Sequence, residues 1–145
     1  HLKEGKHVVL NASGAGRSED IQKLIAGMFL QLSGSFEKSP QAGIIVAGGD
    51  TALSVCRGVS ADSLSVIGEL EYCVPVCAVN GGPANGMPLV TKAGGLGSVT
   101  VFADAAKLLA VQDELLRLFG GADGFAQVVG MVRRAAAGLV SGIDR

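Results

Sequence analysis

The sequence predicts an α/β fold, a Rossmann-like layered arrangement in which helices flank a mixed, partly parallel sheet. Short apolar runs rich in β-branched residues alternate with segments whose apolar residues recur at helical spacing, and further strands and helices follow. Glycine clusters follow several of the apolar runs, as expected of turns at strand ends. The 145 residues are 48% hydrophobic and 17% charged, which suffices for a substantial core. Without an internal repeat or a linker, we expect one domain over residues 1–145.

The first part of the chain predicts two strand–helix units. Residues 7–12 form an apolar run that predicts the first strand, and residues 13–17 make a glycine turn behind it. Ser18 is the expected N-cap of a helix, because apolar residues then recur on one helical face. The members of that face are Ile21, Leu24, Ile25, Met28, Phe29 and Leu32. Residues 43–47 then predict a buried strand, and residues 50–57 predict a helix.

The second part predicts a group of strands followed by helices. The strands are expected at residues 64–68, 74–79 and 87–91. Residues 80–86 carry a strong turn signal, so the last two strands should form a hairpin, and Pro75 indicates an edge position or an irregular strand start. Apolar spacing predicts a helix over residues 101–119. A last helix is expected from Asp123, within a helical tail over residues 111–145.

The glycine turn between the buried strand and its helix is the first candidate binding site. Gly48 and Gly49 let a ligand approach the backbone without a Cβ in the way, and Asp50 and Thr51 are good N-cap residues. The first N–H groups of a helix have no internal acceptor and lie at the positive end of the helix dipole, which suits an anion such as phosphate. An ordinary capped strand–helix turn has the same sequence, so the pattern alone leaves both interpretations open.

Two further glycine turns, residues 13–17 and 92–97, follow predicted strands and are expected at the same edge of the sheet, where ligands of doubly wound folds bind. Lys92 offers a positive charge for phosphate, although a solvated strand-end lysine fits equally well. Asp50 offers a carboxylate for a magnesium-bound water, although N-capping also explains it. The sequence contains no GxxxxGK[ST] loop, no GxSxG elbow and no conspicuous acid–base pair, so catalytic residues stay unassigned.

Composition excludes several other functions. The net charge of −1 without a basic block, together with few aromatic residues and no Trp, argues against a nucleic-acid partner. Apolar runs are too short to span a membrane, so no membrane partner is expected. The odd number and the spacing of Cys56, Cys73 and Cys77 do not indicate a disulfide framework, which favours buried free thiols. Free thiols are typical of a reducing compartment, so we expect a cytoplasmic protein. Since no histidine completes a zinc set with them, no metal site built from side chains is predicted.

Four segments of the chain stand in the order seen in the four-carbon acid sugar kinases. They are IIVAGGDTA at residues 44–52, IGEL at 67–70, VPV at 74–76 and LVTKAGGLG at 89–97. The chain resembles the C-terminal, nucleotide-binding half of that family from about Val8 to about Leu109. Its members act on threonate, erythronate or 3-oxo-tetronate. The pairing of GGDT with TKAGGLG at this separation is the specific part of the resemblance.

The resemblance implies an ATP site shared by two loops, with Mg²⁺ as the accompanying ion. The residues that it assigns to the nucleotide are Gly48, Gly49, Asp50 and Thr51 in the first turn and Gly94 and Gly95 in the second loop. In the family, the sugar acid and most of the chemistry come from an N-terminal domain. We therefore expect this sequence to be a fragment of a two-domain kinase that binds ATP or ADP and is inactive alone.

The sequence departs from the family's pattern in two places. Residues 98–100 read Ser-Val-Thr where members have an acidic, Asp-Pro-Asp-like stretch, and the chain runs on to Arg145 beyond the helix at which members tend to stop. The leading hypothesis is the ATP-binding domain of a kinase that transfers the γ-phosphate to a tetronate-type sugar acid. Two alternatives stay open: a non-catalytic module that senses a nucleotide or phosphorylated metabolite, and a structural domain that mediates assembly, for instance into a homo-oligomer.

Overall fold

A computed structural model of the chain describes residues 6–11, 19–36 and 43–119. The elements in these ranges are α1 (Glu19–Phe36), β1 (Ile44–Ala47), α2 (Gly49–Gly58), β2 (Ser63–Glu71), β3 (Val74–Asn80), β4 (Pro88–Lys92) and α3 (Val101–Phe119). Every helix and strand predicted between residues 43 and 119 is present, and β2 is longer than predicted. The predicted turn at residues 13–17, the Ser18 cap and the last helix from Asp123 lie outside the described residues.

The strands form one open mixed sheet in the order β1-β4-β3-β2. β1 and β4 run parallel, whereas β3 pairs antiparallel with both β4 and β2. The predicted hairpin is therefore the β3–β4 pair, and its turn is closed by a hydrogen bond from the Gly86 N–H to the Val79 carbonyl at 2.7 Å. These findings confirm an α/β fold with a partly parallel sheet.

Pro75 lies on an interior strand, so the edge position that it indicated is wrong and the irregular strand start is right. The ladder between β3 and β4 begins at Val76, one residue later. On the other side, the register with β2 shifts between Glu69 and Glu71. Proline cannot donate to a ladder, and here it sits before the β4 ladder begins, so none of those bonds is lost.

Helices cover both faces of the sheet, with α1 and α2 on one and α3 on the other. The core on the α1/α2 side consists of Phe36, Val46, Val55, Val59, Val79, Ala84, Met87 and Leu89. The core under α3 consists of Val74, Val76, Val90, Val101, Ala105 and Leu109. Neighbouring residues such as Leu89 and Val90 serve opposite cores because side chains alternate across a strand. Because helices cover both faces of the sheet, β3 and β4 are apolar on both of their faces.

The contact between α1 and α2 depends on a glycine. A Cβ added at Gly58 would lie 2.5 Å from the Ala26 carbonyl oxygen and 2.6 Å from the Phe29 Cβ. Both are atoms fixed to the α1 backbone, so any side chain at this position forces the helices apart. Gly58 therefore sets how closely α2 approaches α1.

The predicted first strand is wrong over residues 7–11, which belong to no helix or strand. Val8, Val9 and Leu10 in this segment are 47%, 87% and 57% exposed. An apolar, β-branched run becomes a strand only when a neighbouring strand pairs with it, and this run is not part of the four-stranded sheet. Within the described ranges, no helix is long and apolar enough to cross a membrane.

Candidate functional site

The two glycine loops meet at the carboxyl end of the parallel strand pair. Ala47, the last residue of β1, pairs with Lys92, the last residue of β4. One residue further on, the Gly48 N–H donates to the Lys92 carbonyl oxygen at 2.8 Å. The first turn and the loop at residues 92–97 therefore begin side by side at the carboxyl ends of β1 and β4. This is the location that the sequence predicted for both.

The helix α2 begins one residue earlier than predicted, and no side chain caps it. Gly48 is the N-cap with φ 95° and ψ 135°, and it forms no side-chain cap hydrogen bond. The interpretation of Asp50 and Thr51 as N-cap residues is wrong, because both already lie in the first turn. The cause is the positive φ of Gly48, a conformation that other residues rarely adopt, which turns the chain directly from strand into helix.

This start of α2 leaves a row of backbone donors available. The first helical hydrogen bond runs from the Ala52 N–H to the Gly48 carbonyl at 2.9 Å. In the part of the chain that the structure describes, the N–H groups of Gly49, Asp50 and Thr51 have no acceptor. Three adjacent donors at the positive end of a helix dipole form a cradle for a phosphate-sized anion.

Both loops present bare backbone to open space. A Cβ added at Gly49 or at Gly95 meets no atom within 4 Å, and the same holds at Gly94, where φ is 41°. At Gly48 the nearest atom to an added Cβ would be the Thr51 Oγ1, at 3.5 Å. A ligand that approaches either loop therefore finds peptide groups without side chains over them.

Lys92 connects the two loops through different atoms. Its carbonyl oxygen accepts from Gly48, and its Nζ donates to the Gly94 carbonyl at 2.5 Å. The same Nζ lies 5.9 Å from the centre of the Phe102 ring, within the range of a cation–π contact. The sequence pointed to Lys92 as a source of charge, and the structure adds that its ammonium group lies at the second loop.

Asp50 is exposed in the first turn of α2, where the helix dipole favours a carboxylate. Like charges repel, so a cation between this carboxylate and a phosphate bound at the neighbouring N–H groups would favour the binding of that phosphate. No cluster of three or more His, Cys, Asp or Glu side chains is present in the described ranges. A magnesium ion here would take its oxygen ligands mainly from phosphate and water, which is its usual coordination.

Glu71 is a residue that the sequence did not single out. Its Oε1 accepts a hydrogen bond from the Ser98 N–H at 2.7 Å, at the far end of the second loop. A Cβ added at Gly97 would lie 2.7 Å from the same oxygen. Glu71 ends β2 on the outer side of the sheet, and no local pattern connects it with a loop that follows β4.

The three cysteines are free thiols, as predicted, but only Cys77 is buried. Burial raises the pKa of the Cys77 thiol, and the neighbouring Cys56 raises it further. Burial likewise raises the pKa of Cys56, an effect that a backbone hydrogen bond partly offsets. Both groups therefore stay protonated at neutral pH, which suits a packing role better than a nucleophilic one.

An α/β sheet that ends in two adjoining glycine loops, one of them opening a helix, is typical of domains that bind phosphate groups of nucleotides. A family model described as "Nucleotide-binding C-terminal domain" matches residues 2–102, and the chain belongs to this family. Together with the relatives below, this match confirms the resemblance to the C-terminal, nucleotide-binding domain of the four-carbon acid sugar kinases.

Two curated relatives are both named D-threonate kinase. The protein of Bordetella bronchiseptica is 38% identical over 68 residues, which cover 47% of this chain and 17% of the relative. The protein of Salmonella typhimurium is 30% identical over 69 residues, which cover 48% of this chain and 16% of the relative. The matched segment therefore spans about a sixth of each of these kinases.

Two solved structures share the fold. Both are crystal forms of a domain of unknown function from Bordetella bronchiseptica, described as a domain-swapped dimer with bound citrate. The first has a TM-score of 0.55 and 30% identity, covering 65% of this chain and 24% of that one. The second has a TM-score of 0.55 and 29% identity, covering 66% of this chain and 24% of that one.

Proposed function

We propose that the chain is the ATP-binding domain of a four-carbon acid sugar kinase, which transfers the γ-phosphate of ATP to a tetronate-type sugar acid. The observation that carries the proposal is the junction of the two glycine loops at Lys92, which puts unpaired backbone donors beside a second bare loop. The names of the two curated relatives support the same activity.

In this proposal the first turn holds phosphate oxygens through the N–H groups of Gly49, Asp50 and Thr51, while Gly48 shapes the turn. Gly94 and Gly95 close over the nucleotide from the second loop. Phosphoryl transfer requires positioning and charge neutralisation more than covalent chemistry, and backbone donors on rigid strand ends supply positioning.

Charge neutralisation is assigned to two cations. The Lys92 ammonium, held at the second loop by Gly94 and Phe102, offers a fixed positive charge near the site. Mg²⁺ would neutralise the phosphates when ATP is bound, and Asp50 would orient one of its waters. The cation thereby offsets the repulsion between the Asp50 carboxylate and an anionic ligand next to it.

The sugar acid and the groups that activate it are assigned to the remainder of a longer, two-domain protein. The matched segment covers only 17% and 16% of the two named kinases, so most of each relative lies outside it. We place the protein in the cytoplasm, in keeping with its free thiols. A homo-oligomer is proposed from the domain-swapped dimers seen in the similar structures.

The test is to titrate the 145-residue chain with ATP and ADP, with and without Mg²⁺, by calorimetry. We expect weak binding that Mg²⁺ strengthens for ATP, and no turnover of D-threonate or D-erythronate. A full-length protein that carries the chain should phosphorylate one of these acids. Failure of a folded chain to bind any nucleotide would contradict the proposal. Nucleotide binding without turnover by the full-length protein would favour the alternative, a non-catalytic binding module.

A further inference from the structure

The second glycine loop has little packing of its own to hold its shape. All residues from Ala93 to Thr100 are exposed. Inside the loop, the Leu96 N–H donates to the Ala93 carbonyl at 3.0 Å, and the Ser98 and Thr100 hydroxyl groups lie 3.1 Å apart. An exposed loop with several glycines loses much conformational entropy when it is ordered, so side chains that anchor it matter.

Two side chains anchor this loop at its two ends. Lys92 binds the Gly94 carbonyl at the start, and Glu71 accepts from the Ser98 N–H at the end. The second bond is 2.7 Å long and its acceptor is a carboxylate, which makes it stronger than a bond between neutral groups. Lys92 is the first residue of the loop, whereas Glu71 comes from the edge strand β2.

Gly97 and Glu71 fit together as a pair. Gly97 has φ 93°, and a Cβ at this position would lie 2.7 Å from the Glu71 Oε1 and 3.4 Å from the Val74 Cγ2. The absence of a side chain at Gly97 is therefore what allows the carboxylate to reach the Ser98 N–H. The loop has one glycine whose role is to receive Glu71, distinct from Gly94 and Gly95, which face open space.

The end of β2 places Glu71 by local structure. Two positions before it, the Glu69 Oε1 accepts from the Cys73 N–H at 2.7 Å and closes the turn into β3. The pairing with β3 shifts register between Glu69 and Glu71, and such irregularities re-aim side chains at strand ends. The two acids on β2 thus have different roles. Glu69 accepts a hydrogen bond within its own hairpin, and Glu71 accepts one from the loop after β4.

From this geometry we infer that Glu71 is a positioning residue for the nucleotide site, an inference that rests on the proposed function. Glu71 contacts no reacting atom. It holds the Ser98 end of the second loop, so that the backbone at Gly94 and Gly95 is already ordered when the nucleotide arrives. Without this bond the loop must be ordered at the expense of binding free energy.

The test compares four variants of the 145-residue chain. Glu71→Ala removes the acceptor, Glu71→Gln keeps an acceptor oxygen without the charge, and Glu71→Asp keeps the charge but shortens the reach. Glu69→Ala is the matched control, because it removes an acid from the same strand whose bond stays within the hairpin. For each variant, the ADP dissociation constant is measured by calorimetry, the Ser98 amide is followed by NMR hydrogen exchange without nucleotide, and the melting temperature is recorded.

We expect Glu71→Ala and Glu71→Asp to raise the ADP dissociation constant about fivefold or more and to speed exchange of the Ser98 amide. Glu71→Gln should recover part of both losses, because it keeps an acceptor oxygen but lacks the charge that strengthens the bond. Glu69→Ala should lower the melting temperature and leave the affinity for ADP close to that of the parent. If Glu71→Ala is too unstable to be measured, the ADP dissociation constants and Ser98 exchange rates of Glu71→Gln and Glu71→Asp are compared instead.

Three results would overturn the inference: unchanged affinity in Glu71→Asp, an equal loss of affinity in Glu69→Ala, or a failure of Glu71→Gln to rescue. If the parent chain itself binds no ADP, it is the proposed function that fails. The Ser98 exchange rate still tests the anchoring bond in that case, because it is measured without nucleotide.

Discussion

At the scale of single residues, the two adjacent glycines of the first turn have different tasks. Gly48 needs its positive φ of 95° to turn the strand into a helix. Gly49 has no such requirement and has open space where a Cβ would lie. A substitution at Gly48 therefore changes the fold of the turn, whereas a substitution at Gly49 changes what can approach the N–H groups.

Gly49→Val is expected to weaken ATP binding by at least ~1.4 kcal/mol, a factor of ten, because its side chain occupies the space above the cradle. Calorimetric titration measures the change, with melting temperature followed in parallel. Gly27→Val is the matched control, since this α1 glycine also has no atom within 4 Å of an added Cβ and lies on a helix away from the loops. A well-folded Gly49→Val chain that binds ATP like the parent would move the site away from this turn.

At the scale of elements, the loops are held in place by the strands and by the helix packing behind them. Residues Gly48–Thr51 form the N-cap and the first turn of α2, and α2 is fixed against α1 by their close contact at Gly58. The second loop follows β4, the strand next to β1. Both glycine loops thus rest on interior contacts that do not involve the ligand.

Gly58→Ala is expected to lower the free energy of unfolding by about 1–3 kcal/mol, because its methyl group overlaps the Ala26 carbonyl and the Phe29 Cβ. Gly27→Ala, made in the facing helix α1 at an open position, should instead raise it by about 0.5–1 kcal/mol through helix propensity. Urea unfolding of the parent and both variants measures the two changes in the free energy of unfolding. A Gly58→Ala chain as stable as Gly27→Ala would show that the helices separate at no cost.

At the scale of the whole molecule, two apolar cores on opposite faces of one sheet stabilise the domain, and a buried thiol makes part of that stability depend on pH. Cys77 is 3% exposed on β3. Burial raises its pKa above the ordinary thiol value, so the folded chain keeps the proton to a higher pH than the unfolded chain. The stability that this thiol contributes is therefore complete below the unfolded pKa and is lost as the pH rises through the folded one.

The parent chain should accordingly be more stable than Cys77→Ala at pH 7, because the alanine leaves a small cavity, and this difference should narrow above about pH 8.5 as the unfolded thiol ionises. Urea unfolding of both proteins at several values between pH 7 and pH 10 measures the difference. Comparison with the variant isolates the contribution of Cys77, because the two proteins differ at this position alone. A difference that stays constant over this range would show that Cys77 ionises equally in the folded and unfolded chains.

Much of the fold and of the candidate site was predictable from sequence, because both depend on local patterns. Alternating apolar runs and helical spacing located β1, α2, the β3–β4 hairpin and α3, and the two glycine motifs located the loops. The prediction of a strand at residues 7–11 was wrong for a physical reason. High β-propensity means that a residue fits a sheet, but a segment becomes a strand only when a neighbouring strand pairs with it.

What the tertiary structure alone decided is which distant groups meet. Parallel pairing of β1 with β4 brings the Gly48 N–H to the Lys92 carbonyl, and no spacing in the sequence encodes that register. The positive φ at Gly48 decided that the helix begins without a side-chain cap, which leaves three donors available. The bond from Ser98 to Glu71 joins a loop after β4 to the end of the opposite edge strand, because a sheet orders its strands by pairing and not by their order along the chain.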